Sequence, residues 1–597
     1  MKRGTVVGLI GTVALSVCAS AGAAEVDDTR LKQAAPSDWL LPGRDYAGQR
    51  YSPLDAINTR TLGRLVPKWI YQSGIPATFQ ATPIVADGVM YVSLPFSSVV
   101  ALDARTGRQI WRYEHERGKG RLCCGPANRG VSIGYGKVFV ATVDGHLVAL
   151  DARTGAPAWN IALADAAADP TEQQSTLGKS EKLATAAVSG STGVGANMAP
   201  LVHGGRVIVG ITGVGYGLHL EADRPGAPLG AVVGIAGRYG RPGFIAAYDA
   251  ATGNKVWQFD TTRPGWEGGY TTTTSYGMAL PRDIAGEKAA AAKHTQAWRF
   301  GGGSVWSTPA LDAALGLIYF GIGNPSPQAA DESRPGDNLD TVSLVALDVE
   351  TGKLKWAYQQ VPHDLWGYDV ASPPALFDVT IDGQTIPAVG EASKLGWYFV
   401  HDRRDGRLLF KSDPFVPQEN LFARPTEAGV RITPGAAGGS NWSPAAVDGK
   451  SGRAYVAAMH MPMIYQRKVI PATPDKPEIV YYELKPAQEP RWGTLSAIDL
   501  KQGGKIAWQA RTEQPLIGGT LATAGGLVFT GEGNGDFSAF EASTGKRLWS
   551  FNCGAGVNAP PISFALDGHQ YIAVAAGGSQ IWGYPQGDAV IVFGLSE

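Results

Sequence analysis

The chain has 597 residues, of which 44% are hydrophobic and 18% charged, a composition that suits a large packed core and excludes an intrinsically disordered protein. Its 52 lysine and arginine residues nearly cancel its 53 aspartate and glutamate residues, so the charge balance excludes the signature of a nucleic-acid partner or an anionic membrane surface. Glycine (78) and proline (39) are abundant without a triplet period, which indicates many tight turns between short strands.

The first 24 residues have the pattern of an export signal. Lys2 and Arg3 precede a short apolar run, and the small residues 21–24 offer a cleavage site. The run is too short to span a bilayer comfortably, and no later segment reaches the length of a transmembrane helix. We therefore expect residues 1–24 to be removed and residues 25–597 to form one soluble domain in the periplasm.

Three cysteines remain after residue 24, the adjacent pair Cys123 and Cys124, and Cys553. An oxidising compartment permits a disulfide, although most adjacent pairs do not bond because the small ring strains the peptide between them. Cys553 has no spare partner and is expected to be a small buried residue. The chain has no Cys-x-x-Cys-His segment, which excludes a covalently attached c-type haem.

One repeated pattern runs through most of the chain. Each copy has a hydrophobic strand, an acidic turn residue, a glycine and an aromatic residue four or five positions later, and copies mostly lie roughly 40 to 55 residues apart. The two longer intervals, before the third and fourth copies, must hold insertions. The aromatic residues of the eight copies are Trp111, Trp159, Trp257, Trp356, Phe410, Tyr455 (in a degraded copy), Trp508 and Trp549.

The repeat has a simple physical interpretation. The acidic residue and the glycine form a tight turn between two outer strands, with glycine supplying the positive φ. The aromatic residue then covers the apolar seam between neighbouring units. A single four-stranded unit cannot bury both of its faces, but a closed ring of units can. The sequence therefore predicts an all-β protein, an eight-bladed β-propeller with tryptophan-docking motifs.

Polar, glycine-rich and aromatic motifs lie between the copies. They are CCGPANRG (123–130), GGGSVWSTP (301–309), GIGNPSP (321–327), RPGDN (334–338), PHDLWGYD (362–369), ASKLGWYFVHDR (392–403), GGSNWSP (438–444) and GGTLATAGGLVFTG (518–531). Through these motifs the chain resembles the alcohol dehydrogenases that depend on pyrroloquinoline quinone (PQQ), of the methanol and ethanol dehydrogenase type. Adjacent cysteines followed by Asn-Arg-Gly in a propeller are a specific sign of that family.

The resemblance implies a PQQ site. PQQ is a flat orthoquinone with three carboxylates, so it needs a partner on each face and cations or donors at its edge. By resemblance, a Cys123–Cys124 ring disulfide covers one face and Trp306 the other. Arg129 binds a carboxylate, for which its planar fork is suited. Lys394, in an expected strand, polarises the quinone carbonyl that accepts electrons.

The resemblance extends the PQQ site to further polar residues. Asn441 and Trp442 match residues that cap the pocket. Ser304 belongs to the motif that carries Trp306. Gln80 lies where the family often has a glutamate, and Asn197 lies where it often has a threonine.

The expected metal site departs from the family pattern. The resemblance implies a calcium or lanthanide ion, a hard cation that prefers oxygen ligands. Asn324 matches the asparagine ligand. The glutamate ligand is missing, because its two candidate positions are Gly215 and Arg238. An insertion at 218–234 holds Glu221 and Asp223, which could supply a carboxylate, but a solvated loop is the favoured interpretation; a lid over the substrate is a further alternative.

The expected catalytic base also departs from the pattern. The family's aspartate follows the tryptophan of the His-Asp-x-Trp motif, and here that position is Gly367. Residues two apart in a strand point to the same face. Asp369 is therefore the first candidate for base and metal ligand, and Asp364, which should point elsewhere, is the second.

Three functions stay open at this point. The first is oxidation of an alcohol, with Asp369 as general base and a separate cytochrome c or similar carrier collecting the electrons. The second is a PQQ-binding sensor or carrier without turnover, motivated by Gly367 and the missing glutamate. The third is a cofactor-free propeller that assembles other envelope proteins. For the first function, the identity of the alcohol is also open.

Overall fold

The computed structural model describes residues 26–117, 125–164, 188–189, 194–212, 218–220, 232–237, 240–475 and 478–597. The described residues form eight antiparallel four-stranded sheets, one of which gains a fifth strand, together with one additional six-stranded sheet. The prediction of an all-β propeller with eight four-stranded sheets is confirmed. Two α-helices, Asp28–Lys32 and Ile284–Ala291, and four 3-10 turns, Leu62–Arg64, Pro95–Ser97, Ala297–Phe300 and Leu500–Gln502, complete the regular structure described.

We number the sheets as blades in chain order. Blade 1 is Ile84–Ala86, Val89–Ser93, Val99–Asp103 and Gln109–Tyr113, and blade 2 is Ser132–Gly134, Lys137–Ala141, His146–Asp151 and Pro157–Ala162. Blade 3 is Leu201–His203, Arg206–Gly210, Phe244–Asp249 and Lys255–Asp260, and blade 4 is Ala310–Asp312, Leu317–Gly321, Ser343–Asp348 and Leu354–Gln359. Blade 5 is Ala375–Ile381, Gln384–Ala392, Tyr398–Asp402 and Leu408–Lys411, and blade 6 is Ala446–Asp448, Arg453–His460, Trp492–Asp499 and Lys505–Thr512.

The last two blades use strands from both ends of the chain. Blade 7 is Leu521–Thr523, Leu527–Gly531, Asp536–Glu541 and Arg547–Asn552, with Tyr51–Ser52 added in parallel to its first strand. Blade 8 is Ile562–Leu566, His569–Ala576 and Ala589–Leu595, completed by Leu65–Gln72. The strand Leu65–Gln72 pairs antiparallel with Ala589–Leu595, so an early strand closes the ring against the last one.

Burial shows which strand of each blade lies inside. In blade 1 all of Ile84–Ala86 is buried, whereas Gln109–Tyr113 buries only Trp111 fully. Blade 4 repeats this, with Ala310–Asp312 buried throughout and Leu354–Gln359 mostly exposed. The first strand of each blade is therefore innermost, and the segments that enter the first strands converge around the central axis.

Six outer-strand tryptophans dock onto the neighbouring blade in the same way. Trp111 covers Gly155, where a Cβ would lie 2.5 Å from the indole ring, and its Nε1 donates to the carbonyl of Ala152 at 3.0 Å. Glycine is required because its φ is +73° and the indole leaves no room for a side chain. The six tryptophan and carbonyl pairs are Trp69–Ala104, Trp111–Ala152, Trp159–Ala250, Trp257–Val349, Trp356–Arg403 and Trp508–Ala542.

The assignment of Tyr455 to this ring is wrong. Tyr455 lies in the second strand of blade 6, because its Asp-Gly turn joins the first two strands of that blade. The outer-strand aromatic of the eighth blade is Trp69, from the ring-closing strand, which carries no Asp-Gly turn before it. At the seam between blades 7 and 8, Trp549 packs on Phe593, with ring centroids 5.5 Å apart.

The six-stranded sheet, which we call the side sheet, collects the insertions. Its strands, in spatial order, are Val188–Ser189, Leu218–Leu220, Val232–Ile235, Ile479–Pro486, Met463–Ile470 and Val430–Ile432. The sequence repeat did not predict it. Strand Val232–Ile235, from an insertion in blade 3, pairs with Ile479–Pro486, from an insertion in blade 6.

Candidate active site

A cavity of about 240 Å³ opens among the loops that enter the inner strands. Of the sequence-predicted site residues, the structure brings nine to its wall, in order Arg129, Asn197, Ser304, Trp306, Asn324, Asp369, Lys394, Asn441 and Trp442. Seven of these precede the first strands of blades 2 to 6. Asn324 and Lys394 instead follow the second strands of blades 4 and 5. Distant segments therefore converge at one point.

The centre of the site is a buried ion pair. The Lys394 Nζ lies 2.8 Å from Asp369 Oδ2 and donates a second hydrogen bond, of 3.0 Å, to the carbonyl oxygen of Gly367. The other oxygen of Asp369, Oδ1, accepts a hydrogen bond from the backbone nitrogen of Asn324. Asp369 is 4% exposed and Lys394 5%. The ammonium and the carboxylate are thus paired inside the cavity wall, and buried charges need such a partner to offset the loss of hydration.

Two premises about this pair are wrong, although both residues reach the site. Neither residue lies in a strand, because Lys394 sits in the turn between two strands of blade 5 and Asp369 in the extended segment before that blade. Gly367 has a φ of +80°, so the alternation of a regular strand does not apply between it and Asp369. Asp369 lines the cavity because the loop turns it there.

Asp364, the second candidate base, has a structural role. Its carboxylate accepts hydrogen bonds from the backbone nitrogens of Trp366, Gly367 and Tyr368, the one from Gly367 at 2.8 Å. Asp364 is fully buried, and this burial raises the pKa of its carboxyl to about 6. It does not line the cavity, and it shapes the loop that carries Asp369.

Aromatic rings and one guanidinium form another part of the wall. The Cζ of Arg129 lies 5.0 Å from the ring centroid of Trp306 and 5.1 Å from that of Trp442. The Arg129 Nη1 also donates to the carbonyl oxygen of Trp306 at 3.2 Å. Trp442 in turn contacts Trp582, with centroids 6.2 Å apart. This wall offers planar apolar surfaces next to a fixed positive charge.

The remaining polar residues surround this wall. The backbone nitrogen of Arg129 donates to the carbonyl oxygen of Asn197 at 2.9 Å. The Nδ2 of Asn441 donates to the carbonyl oxygen of Ala437 at 2.8 Å. Gln80, which is 3% exposed, lines a second cavity of about 50 Å³ that shares Arg129 and Trp442 with the first. Gln80 therefore lies behind the main cavity.

Comparison with known proteins decides the family. A family model described as "PQQ: Glucose/ethanol/alcohol dehydrogenase, beta-propeller domain" matches residues 39–420 and 412–572. The chain belongs to the PQQ-dependent alcohol dehydrogenase family. The resemblance seen in the motifs, and the prediction of an enzyme of this class, are confirmed.

Relatives match this family member over most of its length. The quinohemoprotein alcohol dehydrogenase of Comamonas testosteroni is 33% identical over 592 residues, covering 93% of this chain and 75% of that protein. The quinoprotein ethanol dehydrogenase of Pseudomonas aeruginosa is 31% identical over 617 residues, covering 95% and 92%. A solved structure titled europium-containing methanol dehydrogenase superposes with a TM-score of 0.75 at 27% identity, covering 95% and 100%.

The cavity of this PQQ-dependent dehydrogenase suits a flat, multiply charged cofactor. Besides the aromatic wall and the cations Arg129 and Lys394, its lining holds polar atoms that have no hydrogen-bond partner within the described part of the chain. They are Asn441 Oδ1, Trp442 Nε1 and Trp582 Nε1. Buried polar atoms are rarely left unpaired, so several at one cavity indicate a polar ligand. The residues present fit PQQ.

The same residues do not fit a calcium or lanthanide ion. Among the described residues that line the cavity, Asp369 is the only carboxylate, and Lys394 is its ion-pair partner. Asn324 contacts Asp369 through its backbone nitrogen, and its side-chain Nδ2 donates to the carbonyl oxygen of Pro325 at 2.8 Å. Such an ion takes six to eight oxygen ligands, several of them charged. The expected metal role of Asn324 and Asp369 is therefore unsupported by the donor set.

Several predicted residues lie outside the described part of the chain. They include both members of the proposed ring disulfide and both candidate positions of the missing glutamate. The full set is Cys123, Cys124, Gly215, Glu221, Asp223 and Arg238. Cys553 is described, and it is partly buried, with a thiol pKa that burial raises to about 12.

Sequence reasoning missed part of the cavity wall. Gln328 follows the GIGNPSP motif directly, but nothing local distinguishes it from a loop residue. Met463 and Leu484 come from the side sheet, and Arg491 and Trp582 from connecting segments. No repeat or motif pointed to these residues, because only the pairing of distant insertions brings them to the site.

No helix of the described residues is long and apolar enough to cross a membrane.

Proposed function

We propose that this chain is an exported PQQ-dependent dehydrogenase that oxidises an alcohol to an aldehyde or ketone. The observation that carries the proposal is the buried Lys394–Asp369 pair, 2.8 Å apart, facing a cavity with Arg129 and Trp306 in its wall. Relatives named as alcohol and ethanol dehydrogenases support it. The signal-like residues 1–24 support export.

In this proposal, each side chain has one task towards the cofactor. Trp306 supports one face of the ring system, and the proposed Cys123–Cys124 disulfide supports the other. Arg129 binds a carboxylate of the cofactor with its planar fork. Lys394 donates a hydrogen bond towards a quinone oxygen, since its ammonium has three donor hydrogens. When bound, PQQ accepts the two electrons and the hydrogen that leave the carbon of the alcohol.

Asp369 handles the proton. It is the only carboxylate among the described residues of the cavity wall, so it takes the hydrogen of the alcohol hydroxyl onto a carboxylate oxygen. The ammonium of Lys394 and the backbone nitrogen of Asn324 hold Asp369 in place. A positioned base of this kind contributes about two to four orders of magnitude in rate. Electrons then leave to a separate carrier, which we propose to be a cytochrome c.

A metal ion has no step in this proposal, because the donor set does not fit one. A second candidate function is PQQ binding without turnover. Gly367, which lies where the family has its catalytic aspartate, is the observation that favours it. The two functions differ in one measurable property, the reduction of an electron acceptor when an alcohol is added.

The test is reconstitution of the purified chain with PQQ. We expect the absorbance of PQQ to stay with the protein through gel filtration, and an artificial electron acceptor to be reduced when alcohols are supplied. Retained absorbance without reduction for any alcohol would favour the non-turnover function. Loss of both would contradict the PQQ site itself.

A thiol titration tests the proposed disulfide separately. The chain after residue 24 has three cysteines, so we expect one titratable thiol, that of Cys553, in unfolded and unreduced protein. Three titratable thiols would remove the ring disulfide from the proposal.

A further inference from the structure

Gln328 occupies the space that a side chain at position 367 would fill. A Cβ built on Gly367 would lie 2.1 Å from Gln328 Nε2 and 3.2 Å from the Cβ of Ala436. The φ of Gly367, +80°, also disfavours any other residue there. The family's aspartate position therefore has no side chain in this chain, and the amide of Gln328 takes its place.

The position of Gln328 is held by a buried arginine. Arg334 donates from Nε to the carbonyl oxygen of Pro327 at 2.8 Å, and from Nη2 to that of Asp364 at 2.6 Å. It thereby ties the loop that carries Gln328 to the loop that carries Gly367. Arg334 is completely buried, so this connection is rigid. The contact between Gln328 and Gly367 is a fixed feature of the site.

Gln328 carries a buried acceptor next to the cavity. It is 3% exposed and lines the cavity, and its Oε1 has no hydrogen-bond partner among the residues described. A buried acceptor without a donor costs free energy, so the bound state favours a ligand that supplies one. Gly367, against which Gln328 packs, accepts a hydrogen bond from Lys394, the partner of Asp369. The side-chain amide of Gln328 therefore packs on the residue whose carbonyl oxygen Lys394 contacts.

The reacting hydroxyl cannot supply this donor. It has a single hydrogen, which the proposed function assigns to Asp369. A second hydroxyl on the substrate, next to the first, can supply the donor at Gln328. We propose that Gln328 is a specificity-determining residue that accepts a hydrogen bond from a second hydroxyl, so that diols are preferred over simple alcohols. This inference rests on the proposed function.

The test compares two substrates of similar size, 1,2-propanediol and 1-propanol, with the PQQ-loaded enzyme. We expect kcat/KM to be about tenfold or more higher for the diol, because a site built around a buried polar group discriminates against the analogue that leaves it unpaired. In Gln328→Met, which keeps the length of the side chain but removes the acceptor, the ratio should fall to about one.

A matched variant controls for the loss of a buried glutamine. Gln570 is 5% exposed and bonded to Ser563 and Ile57 in blade 8, and it does not line the cavity. Gln570→Met should therefore leave the diol ratio unchanged. A ratio near one in the wild type, or the same raised ratio in wild type and Gln328→Met, would overturn the proposal.

A binding measurement separates this proposal from the proposed function. If no alcohol at all is turned over, the proposed function has failed, but thermal unfolding of the PQQ-loaded protein still reports binding. We expect 1,2-propanediol to raise Tm more than 1-propanol in the wild type and equally in Gln328→Met. Equal shifts in the wild type would overturn the role of Gln328 independently of catalysis.

Discussion

The outer and inner strands of the propeller differ in what their side chains do. At the outer seam, six blades use the same tryptophan, the same glycine turn and the same bond from an indole to a carbonyl oxygen. At the entries to the inner strands, blades 2 to 6 contribute residues that differ from blade to blade, and polar atoms there lack partners among the described residues. The repeated indole–carbonyl hydrogen bonds stabilise the ring. The differing residues at the inner entries, with their unpaired polar atoms, provide the binding site.

The largest expected effect is on kcat and comes from a substitution in the inner site. Asp369→Asn removes the only described carboxylate of the cavity wall while keeping its shape. We expect kcat to fall by about two to four orders of magnitude, with PQQ still retained on gel filtration, because a positioned base contributes that much. An unchanged kcat would remove Asp369 from the role of base.

The second effect is on the free energy of unfolding and comes from a substitution at the outer seam. Trp257 is 8% exposed, and truncation to alanine leaves a cavity over Gly352. We expect Trp257→Ala to lower the free energy of unfolding by about 3–5 kcal/mol, measured by denaturant titration, as for other buried aromatic residues. The diol ratio of the folded enzyme should stay the same, and a changed ratio would show that seam and site are coupled.

The third effect concerns Glu391, a buried carboxyl in blade 5. Gln360 donates to the carboxyl of Glu391 and accepts from Ser393, the neighbour of Lys394, at 2.8 Å. Burial raises the pKa of Glu391 to about 8 from the ordinary 4.5. The folded state therefore binds this proton more tightly than the unfolded state, and stability is lost as the pH rises from about 4.5 to about 8.

Glu391→Gln tests that pH dependence. We expect the variant to be more stable than the wild type by roughly a few kcal/mol at pH 8, with the difference shrinking towards pH 4.5, because the amide cannot ionise. Denaturant titration at several pH values measures it. A difference that does not change with pH would show that Glu391 does not titrate in this range.

A smaller effect separates packing from hydrogen bonding at the seam. Trp257→Phe keeps an aromatic ring but removes the bond from Nε1 to the carbonyl of Val349, now 3.0 Å. We expect a loss below that of the alanine variant, because the phenyl ring retains part of the buried contact and one bond adds only about 1 kcal/mol. If Trp257→Phe loses as much stability as Trp257→Ala, the hydrogen bond rather than the packing of the ring stabilises the seam.

The smallest expected effect is that of metal ions. Because Asp369 is paired with Lys394, calcium or a light lanthanide should change PQQ retention by less than about twofold, in contrast to a site built of several carboxylates. Elemental analysis of the loaded protein measures the bound metal directly. One tightly held ion per chain would show that undescribed residues complete a metal site.

The sequence predicted the fold well and the site in part. The Asp–Gly–aromatic repeat depends only on residues close together in the chain, so the sequence alone reveals it. Its one error was the choice of Tyr455 instead of Trp69 as the outer aromatic residue of one blade. Trp69 was missed because its strand comes from the other end of the chain and closes the ring. Nine of the residues proposed for the site line the cavity, Gln80 lines the smaller one, and Cys123 and Cys124 lie outside the described residues. Asp369 did so through a loop, although the prediction assumed a strand.

The sequence by itself therefore determined the blades, their number and the family, because turns and hydrophobic alternation depend on neighbours along the chain. Only the tertiary structure decided what surrounds the Lys394–Asp369 pair. Gln328 matters because the side chain of residue 367, 39 positions later in the numbering, is absent and leaves it room. Such an approach through space depends on how two loops are clamped together, and no local pattern encodes it.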